Sequence, residues 1–161
     1  MVAGSFTDEC VVAVSAERLW KVVSSVKSTL LPKACAGYID AVEVEGAGGV
    51  DSVTTMKFNP AVAGEVMVVK TRIVALDDAE RVMRTEVLQG GKLSAELKSQ
   101  VNEVKVEAAG EGASVVKLKV EYERLDGATM APEHQAKIAQ ALLGLVKKVE
   151  AYLVTHPGEL A

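Results

Sequence analysis

The sequence predicts an α+β domain in which a curved antiparallel sheet wraps around one long C-terminal helix. Three observations predict it. The 161 residues include 27 valines and only 4% aromatics, so the core is built from β-branched side chains, which favour sheet. The middle of the chain then alternates. Glu103, Lys105 and Glu107 interleave with Val104 and Val106, and Lys117, Lys119 and Glu121 with Val116, Leu118, Val120 and Tyr122. A period of two with one charged side marks strands whose other side is buried. Finally, Ile138, Leu142, Leu145, Val149 and Tyr152 recur at spacings of four, three, four and three, and Leu143, Val146 and Leu153 widen the stripe. That is the apolar face of a helix. At 1.5 Å per residue, roughly 25 residues make a helix of about 37 Å, which only a curved sheet of several strands can cover.

The elements follow in chain order. Residues 5–14 are apolar and extended, and read as a strand. Ser15 can cap a short helix over 16–25, whose Leu19, Val22, Val23 and Val26 share a side. Arg18 stands where a full capping box would place Glu. Residues 28–34 read as a second short helix limited by Pro32. Strands over 37–45 and 52–58 flank Gly46-Ala47-Gly48-Gly49, a glycine-rich turn. Asn59-Pro60 breaks the chain. Strands follow over 65–76, 81–89, 93–108 and 113–122, separated by turns at Asp77-Asp78, Gly90-Gly91 and Gly110-Glu111-Gly112. Pro132 suits the first turn of the last helix and Glu133 its positive end, and Pro157-Gly158 stops it. No repeat or linker interrupts residues 1–161, so a single domain is expected.

Composition excludes several classes. Lys plus Arg is 18 and Asp plus Glu is 22, a net charge of −4. Nucleic acid and anionic membranes are therefore not expected partners. No run approaches the length of a membrane span. The first seven residues lack the basic and apolar regions of a secretory signal, and Cys10 and Cys35 are the only cysteines. Two reduced thiols in the cytoplasm are the expectation. Cys10, Cys35, His134 and His156 have no metal-ligand spacing, so neither a metal nor a cofactor is expected.

The element order, with Glu45-Gly46-Ala47-Gly48-Gly49 between the second and third strands, resembles the birch major pollen allergen (Bet v 1-like) family, and most nearly its class-10 pathogenesis-related branch in plants. Matching segments are Ala16-Glu17-Arg18-Leu19-Trp20-Lys21, Leu31-Pro32-Lys33, Lys117-Leu118-Lys119-Val120-Glu121-Tyr122, and Val149-Glu150-Ala151-Tyr152-Leu153 with His156-Pro157. The resemblance runs from about Ser5 to the C-terminus. It implies a helix-grip fold: a seven-stranded antiparallel sheet, two short helices in a V, and a long C-terminal helix closing a large internal hydrophobic cavity. It also implies a cytosolic plant protein induced in defence, which binds apolar small molecules such as flavonoids, cytokinins and other hormones, sterols or fatty acids. In that reading the protein is a monomer that stores or carries its ligand.

Two alternatives stand beside the carrier. Some members of the family degrade RNA, and the residues proposed for it are a Lys after the glycine loop, a strand Glu, and a Glu and Tyr in the last helix. Glu150 and Tyr152 match the helix pair, but Thr54 and Lys98 stand at the other two places. A weak ribonuclease acting in defence is thus the runner-up. The other alternative is a hormone sensor whose ligand creates a surface for a protein partner. Relatives that condense an amine with an aldehyde need a Lys, Tyr and carboxylate converging in the pocket, and alternation turns Lys117 and Lys119 outward. At the glycine loop the family usually has one further glycine where Asp51 stands here. An anion at the tip opposes a phosphate-cradling role, and the glycines Gly46, Gly48 and Gly49 read as a hairpin turn.

The residues themselves also point to a ligand space. Alternation puts Met56, Phe58, Val66, Val68, Met83, Thr85, Val87, Asn102, Val104, Val116, Leu118 and Val120 on the inward face, and the helix adds Ile138, Ala141, Leu142 and Leu145. These side chains are mostly small. At about 24 cal/mol per Å³, an empty void of ~500 Å³ would cost on the order of 12 kcal/mol, close to a domain's whole stability. The space must therefore hold ligand or water, or collapse. Thr85 and Asn102 are the groups expected to orient a ligand. Met56 and Met83 give an adaptable lining.

Overall fold

The computed structural model describes residues 4–24, 30–46, 49–59, 67–90, 97–127 and 129–158. Strand β1 (Gly4–Val12) leads through helices α1 (Ala16–Ser24) and α2 (Leu30–Ala34) to β2 (Ile39–Glu45). Then come β3 (Val53–Phe58), β4 (Met67–Asp77), β5 (Val82–Gln89), β6 (Leu97–Ala108) and β7 (Ser114–Arg124), before the long helix α3 (Pro132–Thr155). The seven strands form one sheet in the order β1-β7-β6-β5-β4-β3-β2, and every neighbouring pair is antiparallel. Strands β2 to β7 are thus a meander, and β1 closes onto β7. The short helices carry the chain from one sheet edge to the other.

The expected α+β architecture is therefore present. Its curvature has local causes. The register shifts at Ile39/Ala41, Lys70/Thr71, Ile73/Ala75 and Leu97/Ser99, and each irregularity bends and twists its strand. Just past the end of β5, Gly90 has φ +96°, and a Cβ there would collide with the Val68 carbonyl oxygen. At the β2–β3 turn, Gly46 has φ +110° and a Cβ there would lie 2.9 Å from Ser52 Oγ.

Helix α1 begins as its sequence dictates. Ser15 Oγ accepts the Arg18 N–H at 3.3 Å, which satisfies one of the amides that a helix start leaves free. Its Ala16, Leu19, Trp20 and Val22 are buried. Trp20 Nε1 donates to Asp78 Oδ1 at 2.9 Å and so ties α1 to the β4–β5 turn. Arg18 donates to the His156 carbonyl at 2.6 Å, joining α1 to the end of α3. The largest buried cluster gathers Val12, Val14, Leu19, Val22, Cys35, Ile39, Val106, Val116, Val149 and Leu153. Two smaller clusters continue along β7: Leu118 and Val120 with Ala139, then Tyr122 with Leu97 and Met130. The core is thus dense where α1, β6, β7 and α3 meet.

Candidate functional site

Strand register identifies the face that α3 covers. On β7, Ser114, Val116, Leu118, Val120 and Tyr122 alternate as buried residues. Across from them on β6 stand Ala108, Val106, Val104, Asn102 and Gln100. Met83 pairs with Val104 and Thr85 with Asn102. Leu76 pairs with Met83, Ile73 with Thr85, and Thr71 with Val87. Thr54 pairs with Thr71 and Met56 with Val69. The concave face therefore holds Met56, Phe58, Met83, Thr85, Asn102, Val104, Val116 and Leu118, as their alternation predicts.

Burial on this face is uneven. Inward residues of β7 are sealed, whereas Met56, Phe58, Val69, Met83, Thr85 and Val104 stay half-buried although they point toward the helix side. On α3, Ile138, Leu142 and Leu145 are half-buried too. The α3 backbone comes close along β1 and α2, not broadly along β3 to β5. The sheet and helix are thus packed against each other at one end and looser over the middle strands.

Three expected lining positions need comment. Val68 stands opposite Lys57 and so lies on the outer face, while Val69 takes the inward place opposite Met56. A one-residue slip reverses every side chain, and the uniformly apolar run Val66-Met67-Val68-Val69 offers no alternation to set the phase. Ala141 is exposed. The fully buried positions of α3 are Ala139, Val149 and Leu153, so the helix is rotated relative to the stripe through Leu145 and Tyr152, and Ala141 turns to solvent. Val66 and Gly48 lie outside the described residues. Gln100 was missed, although it sits two residues before Asn102 on the same face and a strict period of two would have included it.

The outer face is a ladder of charges. Arg84 donates to Glu103 at 3.0 Å and to Glu121 at 3.3 Å. Lys117 pairs with Glu107 at 3.1 Å, and Lys119 with Glu121 at 3.6 Å. Lys117 and its neighbour Lys105 hold the Glu107 carboxyl below the usual carboxylate range. Lys117 and Lys119 thus face away from the concave side, as expected, and supply no amine for condensation chemistry there.

Both thiols are kept protonated by burial. The Cys35 thiol is pushed above its ordinary value by burial, against a smaller opposing effect of Lys148. Cys10 is raised by burial as well, with Lys147 opposing. Among the described residues no group of His, Cys, Asp and Glu is arranged to hold a metal ion. No helix among them is long and apolar enough to cross a membrane.

These features meet in a comparison with known proteins. The profile of the Pathogenesis-related protein Bet v 1 family matches residues 1–156. The chain belongs to the Bet v 1 family. Major pollen allergen Bet v 1-C of Betula pendula is 29% identical over 153 residues, 94% of each chain. Pathogenesis-related protein STH-21 of Solanum tuberosum is 28% identical over 157 residues, 98% of this chain and 97% of the relative. In fold, the crystal structure of Ara h 8.0201 matches with a TM-score of 0.79 at 24% identity, covering 94% of this chain and 98% of that one.

Within the Bet v 1 family, this chain's departures now have structural consequences. Asp51 occupies the expected glycine position with φ 73°, the left-handed conformation that glycine favours. Its N–H donates to the Ile73 carbonyl at 2.8 Å, so the turn keeps its shape without glycine. Thr54 is buried on β3 and Lys98 is exposed on β6. Glu150 is not a free carboxylate: it accepts the Ala13 N–H at 2.6 Å and pairs with Lys147 at 3.2 Å. Tyr152 stacks on His156 with centroids 4.0 Å apart. Residues two apart on a helix do not face each other, so Glu150 and Tyr152 do not converge on one substrate. His156 is exposed, whereas His134 is half-buried and its Nδ1 is enclosed without a partner among the described residues.

Proposed function

We propose that this member of the Bet v 1 family binds a small, largely apolar ligand between the middle strands and α3. The binding serves storage, transport or sensing in a defence-related setting, in the cytoplasm and as a monomer. One observation carries the reading. The inward side chains of β7 are sealed, as are Ile73 and Val87, while Met56, Phe58, Val69 and Met83 on β3 to β5 remain half-buried, as do Leu142 and Leu145 on α3. Apolar surface left partly uncovered on a concave face is surface that an apolar guest can cover, at about 25 cal/mol per Å². Ligand pockets typically combine such a lining with few polar groups. Thr85 and Asn102 supply those groups here, and Met56 and Met83 let the lining adapt.

Flat phenolic or isoprenoid compounds should displace an apolar fluorescent dye with a dissociation constant on the order of micromolar, about −8 kcal/mol. If neither the dye nor any member of a broad flavonoid, cytokinin and fatty-acid panel binds below millimolar, the reading is wrong.

A further inference from the structure

The concave face carries one polar feature that an apolar guest alone does not explain. Gln100 and Asn102 are 9% and 8% exposed, and Gln100 Nε2 donates to Asn102 Oδ1 at 2.9 Å. They stand opposite Tyr122 and Val120, which are sealed. Neither amide makes another side-chain hydrogen bond among the described residues. None of their unpaired atoms is fully enclosed, however. Each unpaired side-chain atom of the two amides therefore keeps some accessible surface, on the face of β6 that also carries Val104 and Val106.

The inventory of these atoms is definite. Two side-chain amides offer two carbonyl oxygens and two NH₂ groups. One N–H···O bond joins them, which leaves a whole NH₂ group on one amide, an unused carbonyl on the other, and the second N–H of the donor. Reversing both amides reverses the bond and leaves the same remainder, so the conclusion does not depend on which amide is the donor. The Tyr122 hydroxyl accepts the Met130 N–H at 2.8 Å and makes no hydrogen bond to either amide. Buried polar groups are normally satisfied, and a half-satisfied pair needs a partner.

We infer that Gln100 and Asn102 together recognise a ligand edge carrying a hydrogen-bond donor next to an acceptor, as in a lactam or carboxamide fused to an apolar ring. This rests on the proposed binding of small molecules at the same face and names the chemistry that selects among them. The ligand's carbonyl takes the free NH₂, its N–H reaches the free carbonyl, and its ring lies against the apolar lining. A site built to make such bonds rejects analogues that lack them more strongly than it distinguishes apolar shapes.

Three bicyclic probes of similar size test it by displacement of a bound dye: 2-quinolone, 1-methyl-2-quinolone and naphthalene. The wild-type protein should bind 2-quinolone at least tenfold more tightly than either of the others. In Gln100→Leu and in Asn102→Leu, each verified as folded by its thermal transition, that preference should shrink to within twofold. Equal binding of all three probes by the wild type would overturn the inference and leave the apolar site standing. A preference that survives in both folded variants would also overturn it. If the wild type binds neither dye nor naphthalene, the proposed site falls as well.

Discussion

Among the described residues, two that are not glycine adopt left-handed backbone, Asp51 at φ 73° and Arg81 at φ 55°. Aspartate tolerates that region better than most residues, and arginine does not. The Arg81 carbonyl accepts the Val106 N–H at 2.9 Å, which holds the β4–β5 turn in place. Arg81→Gly should therefore raise stability by about 0.5–1 kcal/mol in chemical denaturation, because relief of strain exceeds the added freedom of the unfolded chain. A loss of the same size would mean that the Arg81 side chain matters more than its backbone. Ser114 is fully buried and its hydroxyl has no partner among the described residues. Ser114→Ala should be neutral or stabilising by up to about 1 kcal/mol, since it removes a desolvated group that forms no bond. A clear destabilisation would reveal a partner for that hydroxyl. Cys35, 1% exposed, holds its proton because burial raises the thiol's pKa. Its contribution to stability is complete below the unfolded thiol's pKa and fades as pH rises through the higher folded value. Alkylation of Cys35 should accordingly lag behind that of half-buried Cys10 up to pH 9, and faster labelling of Cys35 would contradict its burial.

The elements differ in how openly their sequences announce them. Strands β6 and β7 read correctly because charges mark their outer face at every second position: Glu103, Lys105 and Glu107, then Lys117, Lys119 and Glu121. Strand β4 begins in a run with no charge before Lys70, so its phase was invisible and Val68 was placed inside instead of Val69. The last helix was legible in length but not in rotation. Its apolar residues span a wide arc, and the side chains that turn it, Lys147 bonded to the Val11 carbonyl and Glu150 to the Ala13 amide, act over long sequence distances that no local pattern encodes. Those contacts give Glu150 a structural task at the end of β1. Glu150→Ala should cost about 1 kcal/mol at this partly exposed site, read by thermal unfolding. Any nuclease activity of a preparation should survive Glu150→Ala combined with Tyr152→Phe, and its loss in the folded double variant would restore the ribonuclease reading. At the other end, Tyr122 joins β7 to the approach of α3 through the Met130 amide. Tyr122→Phe leaves that buried donor unpaired and should cost about 1–3 kcal/mol, whereas a change near zero would show that water replaces the hydroxyl.

Across the whole molecule, the order of elements was readable because each carries its own period and turn chemistry, while the candidate site was readable only in outline. Its walls are distributed over five strands and one helix, and their distance from one another depends on the bulges at Lys70/Thr71, Ile73/Ala75 and Leu97/Ser99. The resulting asymmetry, sealed over β7 but only half-buried at Met56, Phe58, Val69 and Met83, is the basis for proposing a ligand there. Leu145 offers the sharpest probe. It is half-buried on α3 and packs at the margin of the largest buried cluster, not on Leu118 and Val120 as Leu142 does. The direct measurement is thermal unfolding and dye binding on one preparation of Leu145→Trp. If the helix lines usable space, the larger ring enters it: stability should change by less than about 1 kcal/mol, below the 1–3 kcal/mol typical of overpacking a filled core. Dye affinity should at the same time fall at least tenfold, about 1.4 kcal/mol. Destabilisation by the full overpacking penalty with dye affinity unchanged would show a closed core at this helix and contradict the proposed site.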